Sequence, residues 1–332
     1  MTISGFPLEL STVRREHGHV TTRQHCRLMI VSVLIGALVL PQPVLAWGQQ
    51  GHRIVARIAA KRLLQSTRDK LRIILGVSDA ALENAMASAA VWPDLLDRQA
   101  TGTSKWHFIN VPISAPFSTA GACDGGDCVI GQIENMQRRL RENVPGFRLL
   151  APPRPPRPMT SQELAFLIHF VGDLHQPLHA AVNGDLGGGC VDLATPLVHP
   201  GTTIPDTTNL HIAWDVDTVV AAMKSHKNNE RAMATALFQR VKQGAGITQG
   251  TPVDWARESS DLARSLVYQK LKIPNHSAPL GACAANITPV SISNAYLKDN
   301  VPVVERRLME AGVRLGNVLN DICGGTGCRG MP

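Results

Sequence analysis

The chain has 332 residues, of which 44% are hydrophobic, 18% charged and 4% aromatic, and its formal charge is +7. That composition excludes a disordered or fibrous chain and suits a globular protein with a sizeable core. The basic excess is mild; it favours a polyanionic partner without defining one.

The first 46 residues read as a targeting segment. Arg14, Arg15, Arg23 and Arg27 precede an apolar run from Leu28 to Leu40 and then Val44-Leu45-Ala46, which predicts a signal peptide cleaved after Ala46. The run is shorter than the roughly 20 residues of a membrane span, so no stable membrane association is expected, and an uncleaved anchor is the alternative. Cleavage exports residues 47–332 to the periplasm or the extracellular medium. It removes four arginines and two glutamates, which lowers the net charge to +5, and it removes Cys26. Six cysteines remain, an even count that argues for disulfides in an exported chain. Cys123 with Cys128 and Cys323 with Cys328 can each close a short loop and leave Cys190 to meet Cys283, among fifteen formal pairings. A cysteine zinc site is the alternative, weakened by the missing C-x-x-C spacing.

Residues 47–332 read as one mainly α domain. From Trp47, Val55, Ile58, Ala59 and Leu63 recur at helical spacing behind His52. Ser66 and Asp79 are predicted N-caps of two further helices, and Pro93 suits a helix start with Asp94 next to it. Trp106 to Val111 reads as a short extended piece with His107 and Phe108 on opposite sides. A loop to Cys128, a polar helix over 129–142 and a proline-rich connection over 151–158 follow. Thr160 with Glu163 has the form of a capping box and predicts the start of a central helix. After a glycine-rich loop over 184–190, which follows no strand and so is no dinucleotide fingerprint, helices are predicted over 209–226, 229–243, 251–271 and 291–319. No strand is predicted outside Trp106 to Val111.

The chemistry concentrates in histidines and aspartates. Leu167 to His179 reads LIHFVGDLHQPLH, and His169 and Asp173 are four apart, hence on one helix face. Asp173 has two oxygens, so it can serve one ion or bridge two. Pro177 disturbs the helix and turns His179 elsewhere. His211 and Asp215 repeat the spacing on the next helix. A lone histidine is usually a solvated or hydrogen-bonded residue, but two H-x-x-x-D helices in one chain suit zinc, whose catalytic sites use about three protein ligands and leave a place for water.

The motifs WGQQGH, WPD, WHFIN, HFVGDLHQPLH and NLHIAWD, in this order, resemble the secreted trinuclear-zinc, single-strand-specific nuclease family. Residues 307–320, RLMEAGVRLGNVLN, resemble the family's final helix. The resemblance implies the multi-helix bundle shared with zinc-dependent phospholipase C, and a phosphodiesterase that acts on single-stranded DNA and RNA, with 3′-nucleotidase activity possible, leaving 5′-phosphates. By resemblance one zinc takes Asp94, His107, His169 and Asp173; a second takes Asp173, His52 and the amino and carbonyl groups of Trp47; a third takes His179, His211 and Asp215. Asp94 and Asp173 thereby carry the catalytic pair, in which two metals about 3.5 to 4 Å apart activate a bridging water. The same resemblance makes Phe108 a base-stacking residue, with a core phenylalanine as its alternative, and places Asn110 where some members carry a base-reading aspartate. The family's D-x-G-G-N pattern loses its asparagine here, at Gly189. Arg98 is a candidate for a phosphate contact, His175 for a residue that orients a ligand, and His199, His226 and His276 read as solvated. The rival readings are a zinc-dependent phospholipase C, in which the last motif ends in glutamate rather than Asp215, and an exported metal-binding protein without catalysis. The expected protein is a monomer.

Overall fold

A computed structural model describes residues 47–144, 159–200, 202 and 204–329. The targeting segment and the proline-rich run over 151–158 lie outside them. The described residues are mainly helical. Helix α1 (Gly48–Arg62) turns its Ile54, Val55, Ile58 and Ala59 into the core together with His52. It is followed by α2 (Gln65–Leu75) and α3 (Leu82–Ala89). The predicted N-caps shift: Leu64 holds the capping position of α2, so Ser66 is already helical, and Asp79 opens a short 3-10 turn ahead of α3.

The central helix α5 (Met159–Leu174) follows α4 (Val129–Glu142) and packs along it. From Leu164 to Leu174 it is buried on every side, as an almost wholly apolar helix must be. His169 and Asp173 are its only ionisable residues in that stretch, and both are fully buried. Helix α5 begins at Met159, one residue before Thr160, and Glu163 accepts hydrogen bonds from Arg139 at 3.0 and 3.3 Å. A capping box forms at Thr251 and Asp254, at the start of α8 (Pro252–Leu262).

The chain also contains a small sheet that the pattern of residues does not predict. Strands β1 (Asp192–Leu197) and β2 (Thr207–Asn209) pair antiparallel, with Asp192 opposite Asn209. The exposed face of β1 is nearly unbroken and gives no alternation to read. Asn209 ends β2 and caps the next helix, its side chain accepting from the Ile212 amide at 2.9 Å. That helix, α6, covers residues 210–223 and contains a π-helical turn, Ala213–Asp217. Trp106 and His107 belong to a 3-10 turn, and the backbone becomes extended only at Phe108. The segment then lies against residues 179–182 through Ile109 N–H to His179 O (2.8 Å) and Val182 N–H to Val111 O (2.9 Å).

Helix α7 (Glu230–Lys242) packs on α1, and α9 (Asn294–Gly324) closes the bundle. Helix α1 crosses α9 where Gly312 and Gly316 present no side chain: a Cβ on Gly312 would lie 2.5 Å from Ile58 Cβ, and one on Gly316 2.7 Å from Arg62 Cβ. Disulfides join Cys123 to Cys128, Cys190 to Cys283 and Cys323 to Cys328. No helix among the described residues is long and apolar enough to cross a membrane.

Candidate metal centre

Three sets of side chains offer nitrogen and oxygen atoms at metal-binding separations: His52 with Asp94 and His169; His107 with His169 and Asp173; and His179 with His211 and Asp215. The first two share His169 and merge into one cluster. Asp173 stands at its middle with its two oxygens facing different partners. Oδ1 lies 3.2 Å from His52 Nε2, while Oδ2 lies 2.9 Å from His107 Nδ1 and 3.2 Å from His169 Nε2. Asp94 Oδ1 is 3.3 Å from His169 Nε2, and its Oδ2 is 4.0 Å from His52 Nε2. In the third group His179 Nε2 and His211 Nε2 are 3.0 Å apart, and Asp215 Oδ2 is 3.2 Å from His211.

Backbone carbonyls set how most of these rings face. Nδ1–H of His169 donates to Ala90 O (2.7 Å), that of His179 to His107 O (2.6 Å) and that of His211 to Gly187 O (2.7 Å). Each bond holds its ring with Nε2 facing the cluster, so that loss of the Nε2 proton puts a lone pair there. Two glycines make the room. A Cβ on Gly172 would sit 2.8 Å from His52 Nδ1, and Gly187, at φ +61°, would place one 2.6 Å from Leu178 O. Asp215 sits in the π turn of α6, a local widening common at functional sites.

Electrostatics match a cation-binding cluster. Burial pushes the Asp173 carboxyl up, but the charge on His169 and the close imidazoles of His107, His169 and His52 outweigh it and hold it well below the usual range. Burial likewise opposes a charge on His169, yet Asp173 and Asp94 push it up to about 10. Burial, with Arg98 beside His107 and His211 beside His179, brings each of those two imidazoles down to about 4. They are therefore neutral at pH 7, the form that ligates metal. His52 Nε2, Asp94 Oδ2, Asp173 Oδ1 and Asp215 Oδ2 are buried without a hydrogen-bond partner, a costly state that a metal ion would relieve. The donor set, imidazole with carboxylate, fits zinc.

Trp47, at the start of α1, is fully buried with φ +31°, and its indole Nε1 has no hydrogen-bond partner. Gly51 gives it space, since a Cβ there would lie 2.8 Å from Trp47 Cβ, and a Cβ on the neighbouring Gly48 would lie 3.2 Å from Asp215 O. The start of α1 therefore packs against the helix of the third group.

The remaining candidates scatter. Arg98 bonds directly to Asp94 Oδ1. Phe108 is half-buried in extended backbone and stands apart from the apolar core cluster. Asn110 lines a cleft of about 420 Å³ together with Leu186, His276 and Leu280. A larger cleft of about 820 Å³, beside Lys224 and Lys298, contains none of the candidate residues. His175 touches none of the proposed ligands. Its Nδ1–H donates to Val171 O (2.7 Å) and its Nε2 accepts from Arg314 Nη1 (3.0 Å), because α9 brings Arg307 and Arg314 behind α5. His199 and His226 are half-buried rather than solvated; their Nε2 atoms lie 3.2 Å from Asp217 and Glu305 respectively. His276 is half-buried too.

Arg307 and Arg314 also share Glu258, at 2.6 Å each. Burial raises the Glu258 carboxyl, but the hydrogen bonds from Arg314 and Arg307 prevail and hold it below its ordinary 4.5. Its folded form therefore binds a proton less readily than its unfolded form. The stability this confers is present above about pH 4.5 and is lost as pH falls through the lower folded value. In thermal melts, Glu258→Gln should lower the Tm at pH 7 and shrink its loss between pH 5 and pH 3; an unchanged acid slope would assign that loss elsewhere.

A helical bundle with three buried His/Asp groups defines a protein built to hold metal ions at one place. The sequence model described as S1/P1 Nuclease matches residues 47–324, and the chain belongs to that family. It is a nuclease, a hydrolase of phosphodiester bonds, and nucleic acid is its substrate. The family is zinc-dependent, which agrees with the donor set. Endonuclease 3 of Arabidopsis thaliana is 28% identical over 311 residues, 89% of this chain and 95% of its own length. Nuclease S1 of Aspergillus oryzae is 28% identical over 310 residues (87% and 95%), and nuclease P1 of Penicillium citrinum 25% over 301 (84% and 98%).

Proposed function

We propose that the protein is an exported, monomeric nuclease that cleaves single-stranded DNA and RNA to 5′-phosphate products with three zinc ions. The observation that carries the reading is Asp173, whose two oxygens face His52 on one side and His107 with His169 on the other. In this assignment Asp94, His107, His169 and Asp173 hold one ion, and Asp173, His52 and the amine and carbonyl of Trp47 hold the second. His179, His211 and Asp215 hold the third. Bound zinc supplies Lewis-acid charge and lowers the pKa of water to near neutrality. Asp94 and Asp173 keep the pair together and stay ionised. In this reading Arg98, which bonds to Asp94, meets a phosphate oxygen, and Phe108 offers a face on which an unpaired base stacks. Asn110 presents an amide, which both donates and accepts, to the edge of that base. Export with cleavage after Ala46 is supported by the three disulfides and by a family match that begins at Trp47.

Chelator-sensitive hydrolysis of single-stranded DNA and RNA, with duplex DNA of the same sequence cut far more slowly, is the expected result. Equal rates on both forms would remove the single-strand preference, and turnover of phosphatidylcholine alone would move the protein to the phospholipase reading. Phe108→Ala should weaken binding of a single strand by roughly 1 to 3 kcal/mol. Unchanged affinity in a binding titration would leave Phe108 a packing residue.

A further inference from the structure

Gln176 lies between the two halves of the centre and is fully buried. Its backbone amide donates to Asp173 O (3.0 Å), and its carbonyl accepts from the His179 amide (3.1 Å). Its side chain does two further things. Oε1 accepts from the Leu178 amide at 2.5 Å, capping the 3-10 turn Pro177–Ala180 that carries His179, and Nε2 donates to Asp215 Oδ1 at 2.5 Å. One residue thus touches Asp173, His179 and Asp215.

We infer that Gln176 is a positioning residue for the third metal group: its amide fixes the Asp215 carboxylate relative to the turn that bears His179. The inference rests on the reading of His179, His211 and Asp215 as metal ligands. With Oδ1 of Asp215 occupied by the amide, Oδ2 is the oxygen left without a partner, and it is the one 3.2 Å from His211 Nε2. Rotation of the carboxylate would carry Oδ2 away from the histidines; the amide opposes it. The position demands an amide. The same side chain must accept from Leu178 N–H and donate to a carboxylate, and among side chains of this length only glutamine does both. Glutamate keeps the cap but sets a second carboxylate against Asp215, and leucine provides neither bond. Groups that hold a metal ligand in place typically contribute 10- to 100-fold to affinity.

The test is zinc retained per chain after equilibration with a graded series of chelator concentrations, measured by elemental analysis on the purified full-length exported protein. Asp215→Asn is the reference that lacks a ligand. Gln176→Leu and Gln176→Glu should each release one zinc at chelator concentrations roughly 10- to 100-fold below those needed for the wild type, with the remaining zinc held as before. In the double variant Gln176→Leu/Asp215→Asn, the glutamine change should add no further loss, because it acts through Asp215. Gln176→Glu retains the turn cap and the shape of the side chain, so it keeps the test valid if the leucine variant does not fold. Wild-type zinc retention in Gln176→Glu, or an additive loss in the double variant, overturns the inference. If Asp215→Asn itself keeps all its zinc, the assignment of the third group fails instead, and the two failures are told apart.

Discussion

Asp173→Asn is expected to release zinc from two positions at once and to abolish hydrolysis. The asparagine side chain has nearly the same shape and fits the same space on α5, so the bundle is retained. What changes is charge and donor type: either the oxygen facing His52 or the one facing His107 and His169 becomes an amide NH₂, which cannot ligate. Loss of the paired cations forfeits several kcal/mol of transition-state stabilisation, on the order of a 10³-fold drop in kcat or more. Elemental analysis should find the third group still loaded, since Asp173 is not among His179, His211 and Asp215. Near-normal turnover with a full complement of zinc would defeat the bridging role.

The second large effect is expected at the other end of the centre. A chain carrying one extra residue before Trp47 should bind one zinc fewer and lose most of its activity, because an internal tryptophan has no free amine. Comparison of protein beginning at Trp47 with protein extended by a single alanine, by intact mass, zinc content and rate, checks this. A fully active, fully loaded extended protein would remove the terminal amine from the ligand set.

Much of this centre is legible in the sequence because its ligands obey helical arithmetic. His169 with Asp173 and His211 with Asp215 are i, i+4 pairs, and the structure keeps both on one face even though the second pair spans a π turn. His52, Asp94 and His107 come from three separate segments, and their convergence is a property of packing that no local spacing encodes; motif order and resemblance supplied it. The same limit explains the misreadings. Ser66 has the chemistry of an N-cap, but α2 starts one residue before it, with Leu64 at the capping position. His175 shares the motif with the ligands, yet the arginines of α9, some 130 residues later, draw it away from them. Gly172, Gln176 and Gly187 carried a signal only in retrospect. A glycine inside an apolar helix and glycines in a loop mark close approach, but what approaches is known only once the helices are placed.

The crossing of α1 on α9 at Gly312 and Gly316 fixes when the centre can exist. Arg62 and Asn317, which bond at 2.7 Å across it, are 255 residues apart in the chain. Helix α1, with Trp47 and His52, is made before the other helices of the bundle but finds the groove it fits only after the last helix has been made. The nuclease is therefore inert through nearly all of its synthesis, and its first and last helices act as a clasp whose closing completes the catalyst.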